Sequence, residues 1–319
     1  MNQLNHDFSP SVSVIIPTHN RPELLLEAIE SLLQQTQSNW EMIVVDDASI
    51  IPVEIFDDPR IRVVRHEWAK GGAASKNTGI ALARAPVLAF LDDDDLYAPS
   101  YLERALGVLV RYPDLDTIFM GVSWFGSAGE YGQENYDSAM LKTLAEAQGS
   151  TVELGLISFG EGLVDALLVS VPMGFQRPVV RASALDRIGL YRPSCLLWDC
   201  DWAISAALNV RTAHVVDGLY LQRADGQGFS SRRDRRIEHL ESGIEIKERL
   251  LEDARSGRYS RKLMPTFRAT ASKAWFDLAW HYYQQGEPRK ALGALWRSEM
   301  QAVNLANLRL LLRLLRFRT

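Results

Sequence analysis

Four consecutive aspartates, Asp92 to Asp95, follow a short apolar segment that runs from Pro86 to Leu91. Packing like charges together is costly unless a cation neutralises them. Hard divalent cations such as Mg²⁺ and Mn²⁺ prefer oxygen ligands, and Mg²⁺ often combines one or two carboxylates with substrate phosphates. The cluster therefore predicts a site for a metal ion and a diphosphate. The alternative interpretation is a solvated acidic turn that caps a helix beginning near Pro99.

A second acidic motif lies further along the chain, where Asp199 and Asp201 alternate with Trp198 and Trp202 ahead of an apolar helical segment. A carboxylate at a helix N-terminus, walled by aromatic side chains, is suited to act as a general base. Tryptophan side chains can also stack on the apolar faces of sugars. The alternative is that both acids only interact with the positive end of the helix dipole.

The segments that must position these acids alternate between strands and helices. We predict strands over 12–16, 42–45, 61–64 and 86–91, and helices from Pro22 and from Gly71 to about Arg84. This alternation is typical of a parallel sheet with crossover helices. Polar segments 17–21, 46–49 and 92–95 follow three of the strands, so they should converge on one edge of the sheet.

Four segments resemble the motifs of glycosyltransferase family 2, in the family's order and spacing. They read VIIPTHNR from Val14, VVDDAS from Val44, SKNTGI from Ser75 and FLDDDD from Phe90. The resemblance covers about residues 11–225. It implies the GT-A fold, an α/β fold with a Rossmann-like, mostly parallel sheet flanked by helices. It further implies inverting transfer of a sugar from a UDP- or dTDP-type donor, with Mn²⁺ or Mg²⁺ as cofactor.

The resemblance assigns donor-binding roles to residues within these motifs. The loop after the first strand would line the uracil or thymine base, and an acid after the second strand would contact the base or ribose. A turn held by side-chain caps is the alternative for that acidic segment. Lys76 stands where the family often has arginine, near the base and diphosphate. The predicted donor-binding residues are Pro17, Thr18, Asn20, Asp46, Asp47, Lys76, Asp92 and Asp93.

Within the acidic cluster, residues 92–94 form the family's Asp-X-Asp pattern. The resemblance implies that Asp94 is the main metal ligand and that Asp92 or Asp93 serves the ribose and the water shell of the metal. Asp92 is the second candidate ligand. We expect Asp95 to cap the helix that follows.

The resemblance also ranks the acids of the second motif. The first well-placed aspartate of the family's Trp-Asp-X-Asp motif is the general base, which implies Asp199, with Asp201 as the next candidate. Trp198 and Trp202 are assigned to the acceptor side. In the closing strand Tyr220 to Asp225, Arg223 is a secondary site residue, and Asp225 replaces a histidine that can touch the metal or diphosphate in relatives. A carboxylate oxygen there could take over that contact.

Three other segments complete the expected architecture. Residues 121–170 are interpreted as a variable acceptor loop and a helix rather than as sheet core. The arginine-rich stretch from Ser230 to Arg236 could form a lid over the diphosphate or a solvated loop. We expect a catalytic domain over 1–236 and a helical C-terminal appendage over 237–319, with a tetratricopeptide-like hairpin around Gly286.

The last segment, Leu305 to Arg318, combines leucines with arginines and contains no acid. Such a basic amphipathic helix could lie on the cytoplasmic face of a membrane, which suits a lipid-linked or glycan acceptor. It could equally be a core or oligomer helix, and a homodimer built through the tail stays open. Its arginines are Arg309, Arg313, Arg316 and Arg318.

Composition narrows the remaining function classes. The net charge of −5 over 319 residues argues against nucleic-acid binding, for which a basic surface is expected. Two cysteines and no apolar leader predict a reducing cytoplasm, and no apolar run reaches the ~18 residues of a membrane span. Two other classes stay as alternatives. A sugar nucleotidyltransferase would need a Gly-rich triphosphate loop that we do not find, and a non-catalytic glycan-binding module would need an impaired site.

Overall fold

The computed structural model describes residues 9–225 and 235–316. These residues form two compact units, each with its own hydrophobic core. The first unit contains residues 9–194 and 198–225, and the second contains residues 195–197 and 235–316. The predicted functional boundary after residue 236 stays a prediction.

The first unit alternates strands and helices along the chain. Its strands are β1 (Val12–Thr18), β2 (Trp40–Asp46), β3 (Ile61–Arg65), β4 (Val87–Phe90), β5 (Leu96–Tyr97), β6 (Thr117–Phe125), β7 (Ser150–Glu153), β8 (Leu156–Ser158), β9 (Pro178–Arg181) and β10 (Thr212–Arg223). Its helices are α1 (Pro22–Leu33), α2 (Gly72–Leu82), α3 (Tyr101–Arg111), α4 (Gly129–Ala147), α5 (Gly162–Val169), α6 (Leu185–Ile188) and α7 (Trp198–Asn209).

The ten described strands form one sheet in the order β3-β2-β1-β4-β9-β6-β10-β8-β7, with β5 paired to β10. Strands β3, β2, β1, β4, β6 and β10 run in one direction, and β9 runs against its neighbours β4 and β6. The predicted α/β fold with a mostly parallel sheet flanked by helices is confirmed. Because these six strands share a direction, their C-terminal ends lie along one edge, where α/β folds bind ligands.

Gly79 fixes the distance between α2 and the sheet. A Cβ atom at Gly79 would lie 2.3 Å from Cγ2 of Ile15 in β1, so only glycine fits between the helix and the strand at this contact. The same helix carries Lys76, whose side chain is buried. The glycine of the SKNTGI motif therefore sets how closely the motif's lysine approaches the sheet.

The prediction for residues 121–170 is wrong in part. Strand β6, which ends at Phe125, lies between β9 and β10, and the hairpin of β7 and β8 extends the same sheet at its edge. Met120 and Val122 of β6 belong to the core of the unit. The glycine, serine and acidic residues after Gly126 indicate the turn into α4, and their composition does not describe the strands on either side.

The second unit is helical, as predicted. Its helices are α8 (Arg236–Arg255), α9 (Met264–Gln284), α10 (Pro288–Gln301) and α11 (Leu305–Arg316). Helices α9 and α10 pack on each other across the turn at Gly286, and the hydroxyl groups of Ser272 and Ser298 are hydrogen-bonded at 3.1 Å. Among the described helices, none combines the length and the apolar character needed to cross a bilayer.

Candidate active site

The three polar segments that follow β1, β2 and β4 meet at one edge of the sheet, as predicted. The hydroxyl group of Thr18 donates a hydrogen bond of 2.8 Å to Oδ2 of Asp93. The backbone N–H of Asn20 donates to Oγ of Ser49 at 2.9 Å, and Oδ1 of Asn20 accepts from the N–H of Ile50 at 2.7 Å. These contacts join the end of β1 to the ends of β2 and β4.

Asp46 is fully buried at the end of β2, where it holds the turn that follows. Its Oδ1 accepts from the N–H of Ser49 at 2.8 Å, and its Oδ2 accepts from the N–H of Val53 at 3.3 Å and from the guanidinium of Arg65. Burial raises the pKa of Asp46, but these hydrogen bonds outweigh it and hold the pKa below its usual range. These hydrogen bonds agree with the alternative interpretation of residues 46–49 as a turn held by side-chain caps.

Asp47, the next residue, holds the loop that leads into α2. Its Oδ1 accepts from the N–H of Lys70 at 2.8 Å and lies 2.7 Å from Nδ1 of His66, while its Oδ2 accepts from the N–H of Gly71 at 2.7 Å. Gly71 has a φ of 88°, a conformation that favours glycine. Asp47 therefore fixes the start of the helix that carries Lys76.

Three basic side chains form ion pairs with the acids of the cluster. Nζ of Lys76 lies 2.8 Å from Oδ1 of Asp92. Nη1 of Arg21 donates to Oδ1 of Asp93 at 3.0 Å and to Oδ2 of Asp94 at 2.8 Å. Nη2 of Arg177, the third cation, lies 3.3 Å from Oδ2 of Asp92. In this arrangement each of these three acids has a basic partner, and the cluster is not a simple solvated turn.

The cations compensate the acids unequally. Burial raises the pKa of Asp92, but the charges of Lys76 and Arg177 outweigh it and hold the pKa below its usual range. Burial raises the pKa of Asp93 to about 6, against the charge of Arg21. The pKa of Asp94 is also raised, first by burial and then by the charge of Asp92. A further positive charge would therefore stabilise the ionised forms of Asp93 and Asp94.

The expectation that Asp95 caps the next helix is wrong. Asp95 is fully buried and accepts hydrogen bonds from the hydroxyl of Tyr220 at 2.9 Å, from Nε2 of Gln222 at 3.0 Å and from the N–H of Arg223 at 2.9 Å. All three donors belong to β10, whereas α3 begins without a side-chain cap. Asp95 binds β10, the strand paired with β5, and not the start of α3, because β10 offers several hydrogen-bond donors at once.

Arg177 is a buried residue to which the sequence assigned no role. Its Nη2 lies 3.3 Å from Oδ2 of Asp92 and 3.5 Å from Oδ2 of Asp95, and it donates to Oε1 of Gln222 at 2.6 Å. Its guanidinium carbon lies 4.6 Å from the ring centroid of Tyr220. The sequence did contain a signal for this position. An arginine directly before a buried strand requires acidic partners, because an unpaired buried charge is costly.

Lys76 also contacts the second motif. Its Nζ lies 4.6 Å from the ring centroid of Trp198, at the start of α7. Trp198 packs edge-on against Tyr191 at a ring-centroid distance of 5.1 Å, and Trp202 stacks on the ring of Tyr191 at 5.5 Å. One buried lysine therefore contacts both the acidic cluster and the aromatic residues around the second acidic motif.

The two acids of the second motif differ in their surroundings. Asp199 is half-buried in the first turn of α7, and its Oδ1 accepts from the N–H of Cys200 at 2.8 Å. Asp201 is buried, and its Oδ2 lies 3.3 Å from Nε of Arg192. The carboxylate of Asp199 is therefore the more accessible of the two.

Arg223 reaches the acidic cluster, but Asp225 points to another loop. Nε of Arg223 donates to the backbone carbonyl oxygen of Asp94 at 2.9 Å. Oδ1 of Asp225 accepts from the N–H of Ser127 at 2.6 Å, and this hydrogen bond holds the pKa of Asp225 below its usual range. Of the predicted lid, Arg232 and Arg233 lie outside the described residues.

A family model described as Glycosyl transferase family 2 matches residues 13–159, which contain the four motifs and most of the sheet edge described above. Residues 13–159 belong to glycosyl transferase family 2. Curated glycosyltransferases also match part of the chain. A UDP-Glc:alpha-D-GlcNAc-diphosphoundecaprenol beta-1,3-glucosyltransferase of Escherichia coli, WfgD, is 36% identical over 104 residues, which are 31% of this chain and 41% of WfgD.

A second relative, the putative teichuronic acid biosynthesis glycosyltransferase TuaG of Bacillus subtilis, is 36% identical over 111 residues, 33% of this chain and 44% of TuaG. An uncharacterized glycosyltransferase of Haemophilus influenzae is 37% identical over 111 residues, 34% of this chain and 37% of the relative. The chain therefore spans less than half the length of these curated relatives.

Solved structures resemble the fold over most of the chain. The crystal structure of S. aureus TarS 1-349 has a TM-score of 0.62 at 16% identity, covering 91% of this chain and 80% of TarS 1-349. The mannosyltransferase PcManGT from Pyrobaculum calidifontis, in complex with GDP-Man and Mn²⁺, has a TM-score of 0.55 at 18% identity, covering 96% of this chain and 80% of PcManGT. The family 2 domain has the GT-A fold.

Proposed function

We propose that this protein is an inverting glycosyltransferase that moves a sugar from a UDP- or dTDP-type donor to a glycan or lipid-linked acceptor. Membership of residues 13–159 in the family and the glucosyltransferase activity of WfgD support this class of reaction. The observation that carries the proposal is the position of Lys76. Its ammonium group contacts Asp92 on one side and Trp198, the neighbour of Asp199, on the other.

The edge formed by β1, β2 and β4 is the proposed donor site. Pro17, Thr18 and Asn20 would line the base, and Asp46 and Asp47 support this role by shaping the two loops beside it. Lys76 would contact the donor diphosphate, for which a buried ammonium offers a strong charge-assisted interaction. Asp92 keeps this lysine in place before the donor arrives.

The residues present fit a divalent cation. No group of three metal-ligating side chains is found in the described parts of the chain, 9–225 and 235–316. Mg²⁺ and Mn²⁺ do not require one when one or two carboxylates act together with donor phosphates. The raised pKa values of Asp93 and Asp94 indicate carboxylates with room for more positive charge. Asp94, together with Asp92, would hold the cation, which supplies charge stabilisation at the leaving diphosphate.

Asp199 is the proposed general base. As the acceptor oxygen attacks the anomeric carbon, a new carbon–oxygen bond forms and the bond to the diphosphate breaks. The proton of the attacking hydroxyl passes to the carboxylate of Asp199. Trp198 would provide an apolar face for the sugar, and Trp202 would keep Tyr191 and Trp198 in position. The ion pair of Asp201 with Arg192 argues against Asp201 as the base.

Replacement of Asp94 tests the metal role. We expect Asp94→Ala to weaken Mn²⁺-dependent binding of the donor by about 10- to 100-fold, the usual range for perturbing a metal site. Isothermal titration calorimetry with and without Mn²⁺ measures this effect. Asp114→Ala, which removes an acid from an exposed ion pair with Arg211, is the matched control. Unchanged Mn²⁺ dependence in Asp94→Ala would move the ligand role to Asp92.

A further inference from the structure

Helix α11 is fixed to the second unit by one of its faces. Leu310 and Leu314 are buried and belong to the hydrophobic core of that unit. Asn307 is also buried, and its side chain accepts from the hydroxyl of Ser298 at 3.0 Å and donates to Oε2 of Glu299 at 2.6 Å. These contacts fix which side chains of α11 face the second unit. They therefore also determine which side chains lie on the outer side of the helix.

The outer side of α11 carries a continuous stripe of exposed leucines. At about 100° per residue, these five side chains occupy one sector of the helix. They are between 36% and 72% exposed. A single exposed leucine is ordinary, but a contiguous apolar patch marks a binding surface. The outer leucine stripe consists of Leu305, Leu308, Leu311, Leu312 and Leu315.

On one side of the helix, two arginines lie between this stripe and the buried face. Arg309 and Arg313 are exposed, and the guanidinium carbon of Arg313 lies 5.3 Å from the ring centroid of Trp280. The sequence of α11 contains no aspartate or glutamate. The helix therefore combines an anchored face, a leucine stripe and a basic border.

We propose that the outer leucine stripe of α11 binds the surface of an anionic lipid bilayer. The leucines would enter the boundary between headgroups and acyl chains, while Arg309 and Arg313 would contact lipid phosphates. Charge favours this occupant over a second copy of the chain. Two such helices paired through their leucines would bring basic residues together, and no acid on the helix would neutralise them. An anionic bilayer supplies both an apolar interior and negative charge.

Vesicle flotation with the full chain tests this proposal. We expect binding to vesicles of phosphatidylcholine and phosphatidylglycerol, weaker binding in high salt, and little binding to phosphatidylcholine alone. The double variant Leu308→Ser/Leu312→Ser should lower the partition coefficient by about tenfold or more. The matched control is Leu141→Ser/Leu154→Ser, two leucines that are 71% and 96% exposed in the first unit. This control should bind like the wild type.

Equal binding of the wild type and the Leu308→Ser/Leu312→Ser variant would overturn the proposal, and so would a wild type that floats with neither kind of vesicle. Sedimentation velocity without lipid distinguishes the rival occupant. A wild-type dimer that this variant dissociates would assign the stripe to a second copy of the chain and contradict the lipid proposal. Because neither donor nor acceptor is present, the result is independent of the proposed transfer reaction.

Discussion

Asp199→Asn is expected to lower kcat by about 100- to 10,000-fold, because general-base catalysis contributes rate factors of this size. The substitution keeps the shape of the side chain, and its amide oxygen can still accept from the N–H of Cys200. Donor affinity should therefore stay close to the wild-type value. Steady-state transfer rates and calorimetric titration of the nucleoside diphosphate measure the two effects separately.

Asp201→Asn is the matched control for Asp199→Asn, since it makes the same chemical change two residues away. Asp201 is buried beside Arg192, so its replacement should act mainly on stability. We expect a lower melting temperature with a much smaller loss of kcat. A large loss of kcat in Asp201→Asn together with an active Asp199→Asn would reverse the assignment of the base. Equal loss of transfer and donor binding in Asp199→Asn would also contradict it.

Arg177→Met is expected to lower the free energy of unfolding by about 3–5 kcal/mol, the range observed when one partner of a buried ion pair is removed. The substitution leaves Asp95 buried without its cationic neighbour and removes one of two cations at Asp92. Urea denaturation followed by circular dichroism measures the effect. Arg211→Met is the matched control, because Arg211 and Asp114 are both more than half exposed. It should cost about 1 kcal/mol or less.

The loss caused by Arg177→Met should grow with pH. Burial raises the pKa of Asp95 to about 7 in the folded protein, even though the charge of Arg177 lowers it. Between the unfolded pKa and about 7 the folded carboxyl is protonated, so folding must take up a proton at a cost that grows with pH. Above that range, folding must bury an ionised carboxylate, so stability falls as pH rises from the unfolded pKa toward and through 7. Without Arg177 this cost is larger, and the deficit should be greater at pH 8 than at pH 6.

A double-mutant cycle separates this electrostatic effect from lost packing. Asp95→Asn removes the charge that Arg177 compensates, so Arg177→Met should cost less in the Asp95→Asn background than in the wild type. The pH dependence of the deficit should also shrink. Additive effects that do not change with pH would mean that Arg177 acts through packing alone.

The strand pattern and the convergence of three strand ends were predictable from the sequence. The strands of this part of the sheet are predominantly apolar, and polar residues follow their apolar cores, as after Val45 and Leu91. In a parallel sheet this local pattern determines a global position, because C-terminal ends share one edge. The bonds from Thr18 to Asp93 and from Asn20 to Ser49 follow from that rule.

The partners of individual acids were not predictable in the same way. Asp95 binds residues of β10 that follow it by 125 to 128 positions, and Arg177 directly precedes β9, the strand that runs against its neighbours. Local spacing contains no information about which distant strand lies beside a carboxylate. The helix cap expected for Asp95 was the best local choice, but a set of tertiary donors replaced it.

The same limit applies to residues 121–170. The glycine, serine and acidic residues after Gly126 do not represent the whole interval, because β6 precedes them and β7 follows α4. Strand β6 combines apolar residues with Gly121, a position where a Cβ atom would lie 2.5 Å from the carbonyl oxygen of Val216 in β10. A glycine required by a neighbouring strand resembles a loop residue when only the sequence is considered.

The most direct test of the proposed donor site is calorimetric titration of the wild-type protein with UDP, dTDP and GDP, each with and without Mn²⁺. The proposal predicts that UDP or dTDP binds, that Mn²⁺ strengthens the binding, and that chelation of the metal reverses it. If none of the three nucleotides binds under either condition, the edge formed by β1, β2 and β4 is not a nucleotide-sugar site, and the proposed transfer reaction is contradicted.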